Sequence, residues 1–259
     1  MSDSYLTIED LSKQFKREGE PPLRVIDNLS ARVEDGALLS ILGPSGCGKS
    51  TLLNIINGLD DVTSGRITIN GTTISRRSRS AVKIGVVFQD PRLLNWRTVR
   101  DNVRLPLDEL KVPRDEAEER VDRYLDLVGL REFGEYYPLR LSGGMRQRVS
   151  LARGLAIEPD LLLADEPFSA LDEITARKLR MELIRIWQAT GRTIIFVTHN
   201  IREAVFLSTR MLVVTARPAT THLDLPIDIP HPRVPEDDRL FEIEKEVTRD
   251  FIRMEEAAE

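Results

Sequence analysis

The chain has 259 residues, 41% hydrophobic and 31% charged, and 37 Lys and Arg against 42 Asp and Glu leave a formal net charge of −5. That length allows one large domain or two lobes around a shared cleft, and the acidic total argues against general nucleic-acid binding. No stretch approaches the roughly 18 apolar residues of a membrane helix, and the single cysteine, Cys47, excludes an intrachain disulfide, which fits a reducing compartment.

The first residues, Met1-Ser2-Asp3-Ser4-Tyr5, lack the basic and apolar regions of a secretory signal. Ala37 to Leu42 then reads as a strand ending in a Gly-rich loop. Ser50 to Asn57 reads as the helix that the loop opens, with Gly58 as its C-terminal stop. Ile84 to Phe88, Leu161 to Ala164, Thr193 to Val197 and Met211 to Val214 read as further strands. Such continuous apolar runs suit strands buried on both faces of a largely parallel sheet, and predict the α/β class.

Between Asp90 and Pro159 the character changes. Arg114 to Leu130 places Ala117, Val121, Leu125 and Val128 at helical spacing, and Val149 to Ala156 continues a helix that begins near Ser142. Pro218, Pro226, Pro230, Pro232 and Pro235 predict an extended stretch. After it Leu240, Ile243, Val247, Phe251 and Met254 form a helical stripe, predicted to pack on the chain's own core ahead of serving as a partner surface. The organisation expected is an α/β core over residues 1–89 and 157–225, a helical subdomain over 90–156, and a C-terminal extension with a terminal helix over 226–259.

The loop Gly43-Pro44-Ser45-Gly46-Cys47-Gly48-Lys49-Ser50 fits G-x-x-x-x-G-K-[ST] between a strand and a helix. Its glycines let backbone N–H groups face phosphate oxygens, and the positive end of the following helix favours the anion. Lys49 is expected to reach the β- and γ-phosphates and the Ser50 hydroxyl to ligate Mg²⁺; the alternative is a Gly-rich turn without ligand. Asp165 and Glu166 end a buried strand, where open α/β sheets bind ligands. Asp165 is expected in the Mg²⁺ shell and Glu166 on the attacking water, against an exposed acidic turn as the plainer reading. Gln89 and His199 also stand just beyond strand ends, near the γ-phosphate if the strands are neighbours. Ser142 suits a helix N-cap, and Gly143 and Gly144 carry no side chains to block a phosphate; by itself this is also an ordinary capped helix.

Taken in order, the loop from Gly43, the Gln89 segment, Leu141-Ser142-Gly143-Gly144-Met145-Arg146-Gln147, Asp165-Glu166, Ser169-Ala170-Leu171-Asp172 and His199 carry a resemblance. From Leu6 to about Pro235 the chain is similar to the nucleotide-binding subunit of ABC transporters. The resemblance implies the P-loop ABC ATPase fold, a mainly parallel sheet core with an inserted helical subdomain and an antiparallel β edge. It implies ATP and Mg²⁺ as cofactors, bound by Gly43 to Ser50 with the neighbouring Thr51, and with Ser50, Gln89 and Asp165 around the metal. Glu166, His199, Gln89 and Lys49 would be catalytic. Two copies would pack head to tail, so that Ser142, Gly143 and Gly144 of one close on the ATP of the other, with Asp172 communicating across the interface.

Phe15 matches the aromatic residue that stacks on adenine in that family, with a core Phe as the alternative. Phe88-Gln89-Asp90-Pro91-Arg92-Leu93-Leu94-Asn95-Trp96, Ala216-Arg217-Pro218 and His231-Pro232-Arg233 resemble the nitrate, sulfonate and taurine importer group, from which Asn95 and Asn200 depart. Gln89 to Val99 would line the groove for a cytoplasmic helix of integral membrane permease subunits, with Trp96 either a contact there or a buried side chain. Arg76-Arg77-Ser78-Arg79 reads as a solvated loop. A solute-binding protein would act indirectly, nucleic acid would not be a partner, and the subunit would sit peripherally on the cytoplasmic face of the inner membrane. The alternatives are a non-transport ABC-type ATPase and a P-loop small-molecule kinase, the latter leaving Ser142 to Gly144 and His199 unexplained.

Overall fold

The computed structural model describes residues 4–75, 82–169 and 171–256. The basic run Arg76 to Arg79 and Ala170 lie outside the described residues. The chain divides into two compact units, Met1–Val82 with Thr193–Glu259, and Lys83–Arg192.

In the first unit, β1 (Leu6–Arg17) pairs antiparallel with β2 (Glu20–Val33) and β4 (Ser64–Ile69), and β5 (Thr72–Thr73) adds to the far edge of β4. Leu6, Ile8 and Leu11 are buried, as are Ile26, Leu29, Ala31 and Val33. Each strand steps by three residues once, and there Asp10 and Asn28 take positive φ values of 48° and the register shifts. A bulge at these points keeps the apolar side chains on one face. It also breaks the period of two by which strands are recognised.

β3 (Leu38–Leu42) runs parallel between β8 (Thr193–Thr198) and β9 (Arg210–Val214), and β10 (Thr221–Pro226) closes that edge antiparallel to β9. Every residue of β3 and β8 is buried, as their continuous apolar character requires. Helix α1 (Lys49–Ile56) starts one residue before its sequence reading, and Gly58 follows it at φ 66° as the expected stop. Helix α6 (Ile201–Leu207) packs on β3 and β8, and α7 (Asp238–Glu256) packs on α6. Leu240, Val247 and Met254 are buried and Ile243 and Phe251 half-buried, so the C-terminal stripe packs on the chain's own core.

In the second unit, β6 (Ile84–Val87) pairs in parallel with β7 (Leu161–Asp165). Helices α2 (Val99–Glu109), α3 (Arg114–Leu127) and α4 (Gly143–Ala156) pack on one another, and α4 also packs on β6 and on α5 (Glu173–Thr190). Ala117, Val121 and Leu125 form the buried face of α3, as their spacing predicts.

Candidate functional site

The candidate residues fall into two groups, one in each unit. In the first unit, Leu42 of β3 pairs in register with Thr198 of β8. The two strands therefore end level, and Gly43 and His199 follow them side by side. This is the neighbour relation on which the reading of His199 depends.

The loop that leaves β3 is shaped from within. Gly48 takes φ 122°, and a Cβ there would lie 2.7 Å from Val25 Cγ1, so the last turn before α1 admits only glycine. Lys49 is 6% exposed, and its ammonium donates to the carbonyls of Gly43 and Pro44, both at 2.8 Å. The cation is thus held against the loop it belongs to, while Ser45, Gly46 and Ser50 are exposed and Pro44, Gly48 and Thr51 half-buried. Cys47 is buried, and burial pushes its thiol pKa up against the opposing pull of Lys49. A buried neutral thiol is a filler of the loop rather than a reactive group.

Two more of the residues singled out in the sequence lie in this unit. Arg217, in Ala216-Arg217-Pro218, donates from its guanidinium to the carbonyl of Gly46. Phe15 is 38% exposed on β1, with Lys13 Nζ 4.7 Å from its ring centroid, so it is not the core side chain offered as its alternative.

In the second unit, Val87 of β6 pairs with Ala164 of β7, which brings Gln89 and Glu166 to the same strand ends. Gln89 Nε2 lies 3.4 Å from Glu166 Oε2 and donates to Ser169 Oγ at 3.2 Å, and Ser169 Oγ donates to the Glu166 carbonyl at 3.0 Å. Glu166 is half-buried and holds φ 42°, a left-handed conformation that a non-glycine residue adopts at a cost on the order of 1 kcal/mol or more. Asp165, at the last position of β7, is half-buried beside it.

Helix α4 holds the Gln89 segment from below. Gln147 Nε2 donates to Phe88 O at 3.2 Å, and Arg153 donates to Pro91 O at 2.6 Å and Arg92 O at 2.9 Å. Asn102, fully buried in α2, accepts from Leu94 N at 2.7 Å and donates to the carbonyls of Leu94, Arg97 and Thr98. These bonds fix the turn that carries Asn95 and Trp96. Trp96 is 74% exposed, which excludes the buried side chain, one of its two alternatives. Asn102 on α2 and Arg153 on α4 satisfy the segment's backbone, so the indole need not fill a core to hold it.

Ser142 caps α4, its hydroxyl accepting from Met145 N at 3.3 Å. The two glycines after it differ. A Cβ on Gly143 would meet nothing nearer than an Arg146 nitrogen at 3.9 Å, whereas one on Gly144 would lie 2.3 Å from Thr175 Cγ2. Gly144 is therefore required by the approach of α5 to α4, a reason in packing that the sequence did not disclose. Asp172 caps α5 by accepting from Thr175 N at 3.0 Å, and hydrogen bonds from Thr175 hold its carboxyl below the usual range.

The oxygen donors assigned to a metal, the Ser50 hydroxyl, the Gln89 amide and the Asp165 carboxylate, are the hard ligands that Mg²⁺ takes. Among the described residues no group of three or more His, Cys, Asp or Glu could hold a metal ion. One carboxylate with neutral oxygens fits a Mg²⁺ that is completed by substrate phosphates, rather than an all-protein cage.

A family model described as ABC transporter matches residues 26–169. The chain is 39% identical over 248 residues, 96% of each chain, to the aliphatic sulfonates import ATP-binding protein SsuB of Bacillus cereus. It is 42% identical to the taurine import ATP-binding protein TauB of Roseobacter denitrificans, over 84% of this chain and 80% of that one. Among solved structures, the fold is similar to an ATP-binding cassette in a dimeric post-hydrolysis state bound to ADP and Pi. That similarity has a TM-score of 0.77 and 32% identity, and covers 87% of this chain and 100% of the other.

Proposed function

The chain belongs to the ABC transporter family, and we propose that it is the ATP-hydrolysing subunit of an importer for a small anion of the nitrate, sulfonate or taurine type. The observation that carries the reading is the loop before α1, where the buried Lys49 ammonium and a glycine at φ 122° build a phosphate cradle at a helix N-terminus. Support for the solute class comes from the relatives that carry sulfonate and taurine import names.

In this proposal the loop from Gly43 to Thr51 holds the β- and γ-phosphates through the Lys49 ammonium and the backbone N–H groups of its residues other than Pro44, and Phe15 stacks on adenine. Ser50, Gln89 and Asp165 would hold Mg²⁺, which when bound neutralises charge on the β- and γ-phosphate oxygens. Glu166 takes a proton from the water that attacks the γ-phosphorus, Gln89 orients that water, and the bond to the β-phosphate oxygen breaks as ADP leaves. His199 donates a hydrogen bond to a γ-phosphate oxygen as charge builds there. Ser142, Gly143 and Gly144 of a second copy complete the site, so hydrolysis requires a closed dimer, and Asp172 lies in the path between the copies.

The exposed Trp96 on its pinned turn supports docking of membrane permease subunits along Gln89 to Val99. A solute-binding protein would deliver the anion to those subunits. Among the described residues no helix is long and apolar enough to cross a membrane, consistent with a subunit that works peripherally from the cytoplasmic face. The assignment of Glu166 is tested with Glu166→Gln. This variant is expected to bind ATP, to hydrolyse it about 100-fold or more slowly, and to accumulate as an ATP-bound dimer in size-exclusion chromatography. Turnover near that of the parent protein would remove Glu166 from the role of base.

A further inference from the structure

His231-Pro232-Arg233 has no part in the chemistry above, yet its side chains converge on one helix end. Arg233 is 3% exposed. Its Nη1 donates to the carbonyls of Val205 at 2.8 Å, Phe206 at 3.2 Å and Ser208 at 2.8 Å. Nη2 donates to Ile227 O at 3.2 Å and Ile229 O at 2.6 Å, and Nε to Ile229 O at 2.8 Å. His231 Nε2 lies 3.0 Å from Leu207 O. A carbonyl can only accept, so Nε2 carries the proton.

Four successive carbonyls, 205 to 208, therefore accept from two side chains of the C-terminal extension. These are groups that a helix leaves without intrahelical partners, and here a cation meets the negative end of the helix dipole. The opposite end of α6 begins beside His199. There Asn200 Oδ1 accepts from Glu203 N at 3.2 Å, Thr198 Oγ1 donates to Glu203 Oε2 at 2.9 Å, and Asn200 N donates to Thr198 Oγ1 at 3.0 Å. His199 thus stands between a strand end locked in the sheet and a short helix locked at its far end.

We infer that Arg233, assisted by His231, is a positioning residue for ATP hydrolysis: it clamps the C-terminal end of α6 and through that helix sets where His199 stands. The inference rests on the reading of His199 as a γ-phosphate contact. The planar fork reaches carbonyls of α6 and of the segment between β10 and the clamp at once, which a lysine ammonium on a flexible stem cannot reproduce. The phosphate loop hangs from β3 and α1, so nucleotide binding is largely independent of the clamp.

The test is a double-mutant cycle with steady-state ATP hydrolysis and ATP affinity as readouts. Arg233→Lys is expected to lower kcat about tenfold with KM for ATP changed less than about twofold, since a displacement below 1 Å at a contact group has effects of this order. In a His199→Ala background the same substitution is expected to cause no further loss. His231→Ala, which removes the bond to Leu207 O and leaves the Arg233 bonds in place, is expected to lower kcat about threefold and serves if Arg233→Lys does not fold. An equal loss from the clamp variants in both backgrounds, or an unchanged kcat when His199→Ala lowers it, overturns the clamp alone. Hydrolysis unaffected by His199→Ala overturns the role of His199 and the clamp with it.

Discussion

At Glu166 the backbone turns into the left-handed region, at φ 42°, where β7 ends. Such a conformation persists only where the surroundings impose it, and here Ser169 and Gln89 bond to that residue from two sides. Its identity as an acidic residue at a strand end was legible in the sequence; the strain and the role of Ser169 were not, because both arise from contacts with a neighbouring turn. His231 makes a different kind of statement at the same scale. Burial, with the Arg233 charge second, pushes its pKa down to about 4 from an ordinary value of 6.5. Between those values the unfolded chain binds a proton that the folded chain does not, so the contribution to stability is complete above about pH 6.5 and is lost as pH falls toward about 4. A gap of this kind is worth about 2 kcal/mol once partial solvent access to the ring is allowed for. Urea unfolding of the parent chain should therefore weaken between pH 7 and pH 4.5 by about that much more than unfolding of His231→Gln. Parallel pH profiles for the two proteins would contradict it.

Between elements, the contact of α4 with α5 decides how Gly144 is understood. The Thr175 methyl occupies the space a Cβ would take. Gly144→Ala is expected to destabilise the protein by about 1–3 kcal/mol, the usual cost of overpacking, and Thr175→Ser, which deletes that methyl, is expected to restore the unfolding midpoint. If the double variant is stable but hydrolyses no ATP, Gly144 has a direct role toward the nucleotide besides packing. If Thr175→Ser restores nothing, the steric account is wrong. Apolar strands and α3 were legible from periodicity because burial on a face repeats along the element. β1 and β2 were obscured by bulges at Asp10 and Asn28, whereas α5 carries helical spacing in Ala176, Leu179, Leu183 and Ile186, a signal by which the sequence could have shown it.

For the whole molecule, the proposed dimer is tested through Ser142, the exposed cap of α4. Ser142→Arg should abolish ATP hydrolysis, by a factor of about 100 or more, while leaving ATP binding by the single chain unchanged, because in the proposed dimer Ser142 would act on the nucleotide of the other copy. Binding can be followed by fluorescence titration with a nucleotide analogue, and hydrolysis that survives unchanged would mean that the site is not shared. The sequence by itself determined the residue types that chemistry demands at fixed spacing: Gly48, Lys49 and Ser50 in one loop, Ser142 before two glycines, carboxylates after an apolar run. Those patterns are local, since a loop or a cap is built by residues adjacent in the chain. Only the tertiary structure decided that β3 ends level with β8 and β6 with β7, that Gly144 answers to Thr175, and that Arg233 closes the helix behind His199. These relations join residues far apart in sequence, and register and close packing, which set them, leave no periodic mark along the chain.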